Sequence, residues 1–301
     1  MAPILLGVSI LVFLLLHLSG GNPAVLMAGP DAPPETIEAI ERMLGLDQPL
    51  HVQYGRYVMN VVQGDLGTSI RSRSPVAAEV GRTLPVTLQL TLLAVLYAVA
   101  LGIPLGVLSA VYRDTIVDRL AMFVALLGIT MPVFAIGILL ILVFSIRLEW
   151  TPISGYVPLS QLAGLHHFVL PVITAGSATM ALIARVTRSS LLEVLEQDYV
   201  RTARAKGLSS RVVVSKHALR NALVPVVTIV GVQFGGLMGG AVVTETIFAL
   251  PGLGRLILQA IQTRDFPLVQ GSILVAALIF VIVNLLTDAV YAVIDPRIRY
   301  A

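Results

Sequence analysis

Three basic side chains, Arg201, Arg204 and Lys206, fall within one short run, Asp198-Tyr199-Val200-Arg201-Thr202-Ala203-Arg204-Ala205-Lys206-Gly207-Leu208. They can hold acidic groups or carbonyls of another molecule, but nothing beside them makes or breaks bonds. Asp198 is a candidate N-cap and Gly207 a candidate left-handed residue past a helix end. The eight residues between them make about two turns. A helix that short is marginal alone in water and needs a surface to dock on. Ala203, Ala205 and Gly207 are small enough to let a partner approach the backbone closely.

Other reactive groupings are thin. A P-loop requires Gly-Lys-Ser/Thr. Lys206 follows Ala205 and Lys216 follows Ser215, so the chain has no P-loop of its own. His166-His167 are adjacent and diverge on a helix, which favours a loop or helix-start role over a metal pair. Gly67-Thr68-Ser69 offers a serine for an intramembrane protease, but it lies outside every apolar run. His17 reads as an interfacial or packed residue, and His217 as one that packs or hydrogen-bonds within the basic region. Cysteine is absent, which excludes disulfides and thiolate metal sites.

The elements that carry these residues belong in a bilayer. The chain is 56% hydrophobic and 12% charged, with a mean hydropathy of +0.90, where soluble domains are about a quarter charged. Six apolar runs stand against the roughly 20 residues that span hydrocarbon. They are Ala2–Leu18, Leu84–Val111, Leu120–Ile146, Phe168–Ala184, Ala222–Leu250 and Pro267–Ile294. The third stands out most clearly. The fourth is the weakest and carries Thr174, Gly176, Ser177 and Thr179, which suits the interior of a bundle. Met131-Pro132 predicts a kink in the third. The fold class is all-α, a polytopic membrane protein of six transmembrane helices in one domain over 1–301.

Between the first two runs, residues 19–83 form a long insertion. Pro34 to Leu44 has Ile37, Ile40 and Leu44 on one face, an amphipathic helix, and Tyr54, Tyr57 and Val58 suggest a second. Gly64-Asp65-Leu66-Gly67 is a turn. Orientation follows from arginine and lysine. Placing the N-terminus in the cytoplasm puts Arg113, Arg119, Arg185, Arg188, Arg201, Arg204, Lys206, Arg211, Lys216, Arg220, Arg297 and Arg299 inside. The short outer loops then hold only Arg147, Arg255 and Arg264, and the translocated insertion holds the remaining five. Short loops dominate this asymmetry, so both termini are expected inside, 19–83 outside, and Trp150 at the outer interface.

The basic run, followed by His217-Ala218-Leu219-Arg220-Asn221-Ala222-Leu223 and Pro225, resembles the cytoplasmic coupling motif of ABC importer permeases of the dipeptide and oligopeptide family. The general form of that motif fits only at Ala203, Gly207 and Leu219; the peptide-permease variant fits closely. Gly64-Asp65-Leu66-Gly67, Glu245-Thr246-x-Phe248-x-x-Pro251-Gly252-x-Gly254 and Asp295-Pro296-Arg297 extend the resemblance over nearly the whole chain. It implies the type I importer permease fold, first-permease type, in the bacterial inner membrane. It implies a second homologous permease, two ABC ATPase subunits that bind ATP and Mg, an extracytoplasmic solute-binding protein, and no cofactor in this chain. Nucleic acid is not among the partners. Arg201, Thr202, Ala203, Arg204, Ala205, Lys206, Gly207 and Leu208, inside a loop at 191–221, are then the docking residues for an ATPase. Peptide, glutathione, nickel-chelate and haem importers share these motifs.

Members of this family usually carry a basic stretch before the first run, and here it begins almost at Met1. A longer native N-terminus is expected. A cleavable signal peptide is the other reading, but the positive region is missing and Leu26-x-Ala28 is a poor cleavage site.

No ionisable residue falls at a predicted span centre, while Glu245 and Asp288 lie near span ends, which weakens a stand-alone carrier. Gln233 is the best polar candidate for lining a path, and a bond to a neighbouring helix is an equal reading. Gly235, Gly236, Gly239 and Gly240 favour tight packing within the chain, with packing against a second permease as the alternative. Glu245 to Gly254 reads as an outer loop folded onto the bundle mouth, permitted where protein covers it or water lines it. In the family the similar loop lies near the outer gate, which makes Glu245, Phe248, Pro251 and Gly252 gate candidates; a plain structural loop is the alternative.

Overall fold

Each of the six apolar runs becomes helix, and the computed structural model describes residues 2–18, 23–29 and 32–294. Asp295-Pro296-Arg297 and Arg299 lie outside these, as do the side chains of His17 and Asp288. Among the described residues there is no strand, only an isolated bridge from Thr68 to Pro75 that closes a turn. The chain is all-α.

The helices are α1 (Ala2–Leu18), α2 (Pro23–Ala28), α3 (Pro34–Leu44), α4 (Leu50–Val62), α5 (Val76–Val111), α6 (Ile116–Thr130) and α7 (Val133–Leu140). They continue with α8 (Leu162–Leu195), α9 (Asp198–Ala205), α10 (Ser210–Val212), α11 (Leu219–Ala222), α12 (Val224–Ile247), α13 (Leu253–Gln262) and α14 (Phe266–Ile294). α7 runs on as a π-helical stretch, Ile141–Arg147, and a second one, Val213–Ala218, joins α10 to α11. α3 falls where the periodicity of Ile37, Ile40 and Leu44 puts it, and α4 carries Tyr54, Tyr57 and Val58.

α5, α8, α12 and α14 are long and apolar enough to cross a membrane. The third run breaks where its kink is expected, as a broken span or a re-entrant loop. It is two helices bent by 110° at Met131-Pro132. Met131 takes the extended backbone that a following proline favours (φ −78°, ψ 132°), and Pro132 cannot donate the next helical bond. α1, at 17 residues, is shorter than the roughly 20 that cross hydrocarbon.

The chain groups into two compact units, Met1–Val86 with Pro251–Val281, and Thr87–Leu250 with Ile282–Ala301. In the first, Val76, Val80, Leu253, Ala260 and Leu268 form the core. Buried Asp265 caps α14 by accepting the Leu268 N–H (3.3 Å), and it ties down the 69–72 turn by accepting Ser69 Oγ (2.5 Å) and the Ile70 and Arg71 N–H groups. On α1 and α4, Ser9 bonds the Tyr54 hydroxyl (2.9 Å) and Phe13 meets Tyr54 edge to face.

In the second unit α8 is the central post. It packs against α6, α7 and α12, and its Thr174 and Thr179 are buried, as its polar composition suggests. Gly102 and Gly106, four apart on α5, let that helix touch the α8 backbone. A Cβ at Gly102 would stand 2.7 Å from the Met180 carbonyl, and one at Gly106 2.5 Å from that of Ala184. This is the small-residue packing of membrane helices.

Candidate functional site: the basic segment after α8

α8 ends at Leu195, and α9 begins three residues later. The cap position belongs to Gln197 in extended conformation. Asp198 is the first helical residue rather than the N-cap, and its side chain makes no cap bond. It sits where a carboxylate favours the positive end of the helix dipole. The far end is as the glycine predicts. Gly207 has φ +80°, and its N–H bonds the Arg204 carbonyl at 2.9 Å.

The segment has two faces. Val200 and Ala203 are buried and join Val213, Val194 and Leu195 in a small apolar cluster. Ala203 therefore packs on its own chain and presents nothing to a partner, contrary to the small-residue reading. Its spacing of three from Val200 puts both on one side of the helix. Arg201, Thr202, Arg204, Ala205, Lys206, Gly207 and Leu208 are exposed. The Arg201–Asp198 pair (3.6 Å) is solvated on both sides and contributes little. Asn221 on α11 donates to the Tyr199 hydroxyl at 2.7 Å, a second anchor. His217 lies in the π-helical stretch that follows, a distortion often found at functional positions.

The path and gate candidates lie on α12 and in the residues that follow it. Gln233 Nε2 donates to Thr179 Oγ1 on α8 (3.3 Å), so the reading in which it binds a neighbouring helix describes its position. Glu245 is not in a loop. It lies in the last turn of α12, fully buried, and accepts a hydrogen bond from Thr87 Oγ1 (2.5 Å). The helix runs on because Ala241, Thr244, Glu245 and Phe248 are buried at helical spacing. Phe248 caps α12 and is 2% exposed, and Ala249 takes the left-handed conformation (φ +53°). The Gly155 N–H donates to the Phe248 carbonyl (2.9 Å), and His167 Nδ1 lies 3.1 Å from the Gly155 carbonyl. His167 thus has the helix-start role expected of it. Pro251 and Gly252 belong to the first unit, where Gly252 stands at the cap of α13, a helix that the loop reading missed.

The glycines of α12 also depart from expectation. Gly235 is buried, but a Cβ at Gly236, Gly239 or Gly240 would meet nothing within 4 Å. Close packing inside the chain falls to Gly231, against Thr287, and to Gly102 and Gly106. No group of His, Cys, Asp and Glu that could hold a metal ion occurs among the described residues.

Residues 102–300 match the family described as binding-protein-dependent transport system inner membrane component, and residues 1–91 match its N-terminal companion. The chain is 48% identical over 298 residues to the glutathione transport system permease protein GsiC of Escherichia coli O6:H1 and of strain K12, covering 99% of this chain and 95% of each relative. With the same protein of Salmonella paratyphi A it shares 47% over the same lengths. The fold resembles the MetNI methionine ABC transporter in inward-facing conformations (TM-score 0.60, 18% identity, 72% of this chain, 96% of that one). It also resembles an amino acid ABC transporter with histidines (TM-score 0.54, 16% identity, 73% and 94%). A full-length match at nearly half identity, over helices arranged as in importer membrane subunits, settles the family. The chain belongs to the binding-protein-dependent inner membrane components and is the multi-pass permease subunit of an ABC importer, a transport component and not a catalytic subunit.

Proposed function

We propose that this permease carries short peptides, with the tripeptide glutathione foremost among them. The carrying observation is the 48% identity, end to end, with permeases named for glutathione transport. It pairs with a second homologous permease across the exposed glycine face of α12, where Gly236, Gly239 and Gly240 leave room for another helix. Two ATPase subunits, which bind ATP and Mg, dock on the exposed face of α9, one on this chain and one on its companion. Both termini are cytoplasmic, and the insertion at 19–83 and the end of α12 face the binding protein outside. ATP binding closes the ATPase dimer, α9 passes that motion to the spans, and the path changes the side to which it opens. Hydrolysis resets it. Phe248, beside buried Glu245, closes the outer side at rest.

Uptake of labelled glutathione and of labelled di- and tripeptides into proteoliposomes holding the complete importer tests this. ATP- and binding-protein-dependent uptake of glutathione or a peptide is expected. Uptake confined to a nickel chelate or haem would overturn the substrate.

A further inference from the structure

The geometry points to the Asp118–Arg188 ion pair as the rigid link through which movement of the α9 segment reaches α5 and α6. This rests on the reading of α9 as an ATPase docking point.

Asp118 stands in the first turn of α6 and is 5% exposed. Its carboxylate accepts four donors. Arg188 gives two, Nε to Oδ1 at 2.9 Å and Nη2 to Oδ2 at 2.8 Å. The Ser109 hydroxyl bonds Oδ1, and the Asp114 N–H bonds Oδ2 at 3.0 Å. Those donors come from α8, from α5, and from the turn between α5 and α6, where Asp114 is left-handed (φ +63°). One carboxylate thus joins three helices. A bidentate guanidinium fixes angle as well as distance. Compared with apolar side chains of the same volume, such a pair adds little stability, whereas removing one partner leaves a buried charge unpaired. What it supplies at this place is a fixed relation between helices.

The place matters because of what α8 does next. Arg188 lies about two turns before the end of α8, and Val194 and Leu195 in its last turn pack against Val200, Ala203 and Val213. From the α5–α6 turn, Arg113 also reaches Glu196, just past α8, at 3.9 Å; both are exposed, so this tie is weak. The end of α8 is therefore held to α9 by apolar contact, to α5 by apolar packing of Leu191 with Ala110 and Val107, and to both α5 and α6 by the ion pair. Apolar contacts tolerate sliding, and a four-donor carboxylate does not. A push on α9 that shifts α8 must carry α6 and the end of α5 with it, or break the pair.

Arg188→Lys keeps the charge but loses the fork, and Asp118→Asn keeps the shape but loses the charge. Each is built into the complete importer, and uptake, ATP hydrolysis and thermal midpoint are measured on the same proteoliposome preparation. Uptake per ATP hydrolysed is expected to fall about three-fold or more, with binding-protein-stimulated hydrolysis kept within about two-fold of the unmodified complex. Two results would overturn the link: an unchanged ratio at any thermal midpoint, including uptake and hydrolysis falling in proportion, or failure of even Arg188→Lys to assemble, which would make the pair part of the folded frame alone. An unmodified complex without ATP-driven uptake would count against the proposed substrate instead, and is read from the control.

Discussion

Gly207 is the residue at which backbone conformation meets the proposed partner docking. Its φ of +80° costs a side chain about 1 kcal/mol or more, although a Cβ there would meet nothing within 4 Å. The cost is therefore conformational, without a clash. Gly207→Asp adds a negative charge to a basic surface as well, and should lower uptake and coupled ATPase activity with membrane insertion unchanged. Gly207→Asn, which tolerates the same conformation without the charge, should lose less. Full transport by the aspartate variant in a reconstituted complex would remove this segment from energy transfer. Phe248 poses the opposite case, since its ring is buried. Phe248→Ala removes packing worth about 3 kcal/mol. If that packing favours the closed outer side, basal ATPase activity rises and its stimulation by the binding protein shrinks. A lower thermal midpoint with the stimulation ratio intact would make Phe248 scaffold.

At the level of helices, the apolar runs are legible because length and composition alone define a span. Their interruptions are less so. Met131-Pro132 signals a kink, but the angle of 110° depends on what α6 and α7 pack against, which periodicity does not contain. α13 was hidden because Arg255, Gln259 and Gln262 make its stretch read as a polar loop, while its Leu253, Gly254 and Ala260 face the core. Asp118 stands in the charged connection between the second and third runs, with Arg113, Asp114 and Arg119 close by, and nothing local announces that Arg188, seventy positions on, will pair with it. The glycine pairs show the same limit. Spacing marks Gly102 and Gly106 as clearly as Gly235 and Gly239, and only packing tells that the α5 pair is used inside the chain. Gly106→Leu should therefore disrupt the subunit itself, whereas Gly239→Leu should leave it folded and abolish co-purification with the second permease. Retention of the companion by Gly239→Leu would remove α12 from the permease pair.

For the whole molecule, orientation is the claim on which the others depend. Twelve basic residues on one side against three in the short loops of the other predict both termini inside. The chain has no cysteine, so single labels are unambiguous. In intact cells Asn60→Cys should react with an impermeant thiol reagent and Ser210→Cys should not; both positions are exposed. The reverse pattern would place α9 outside and end its role in coupling.

The inward anchoring of Val200 and Ala203 has a consequence for partner choice. Because α9 is already seated on its own chain, an ATPase docking there as proposed would meet a preformed shape and would not bear the entropy of ordering a floppy loop. The residues that hold the shape and those that face outward are different residues. Arg201, Arg204, Lys206 and Leu208 can then be exchanged as a set without disturbing the seat, and recognition of one ATPase over another becomes a property of the outward face alone.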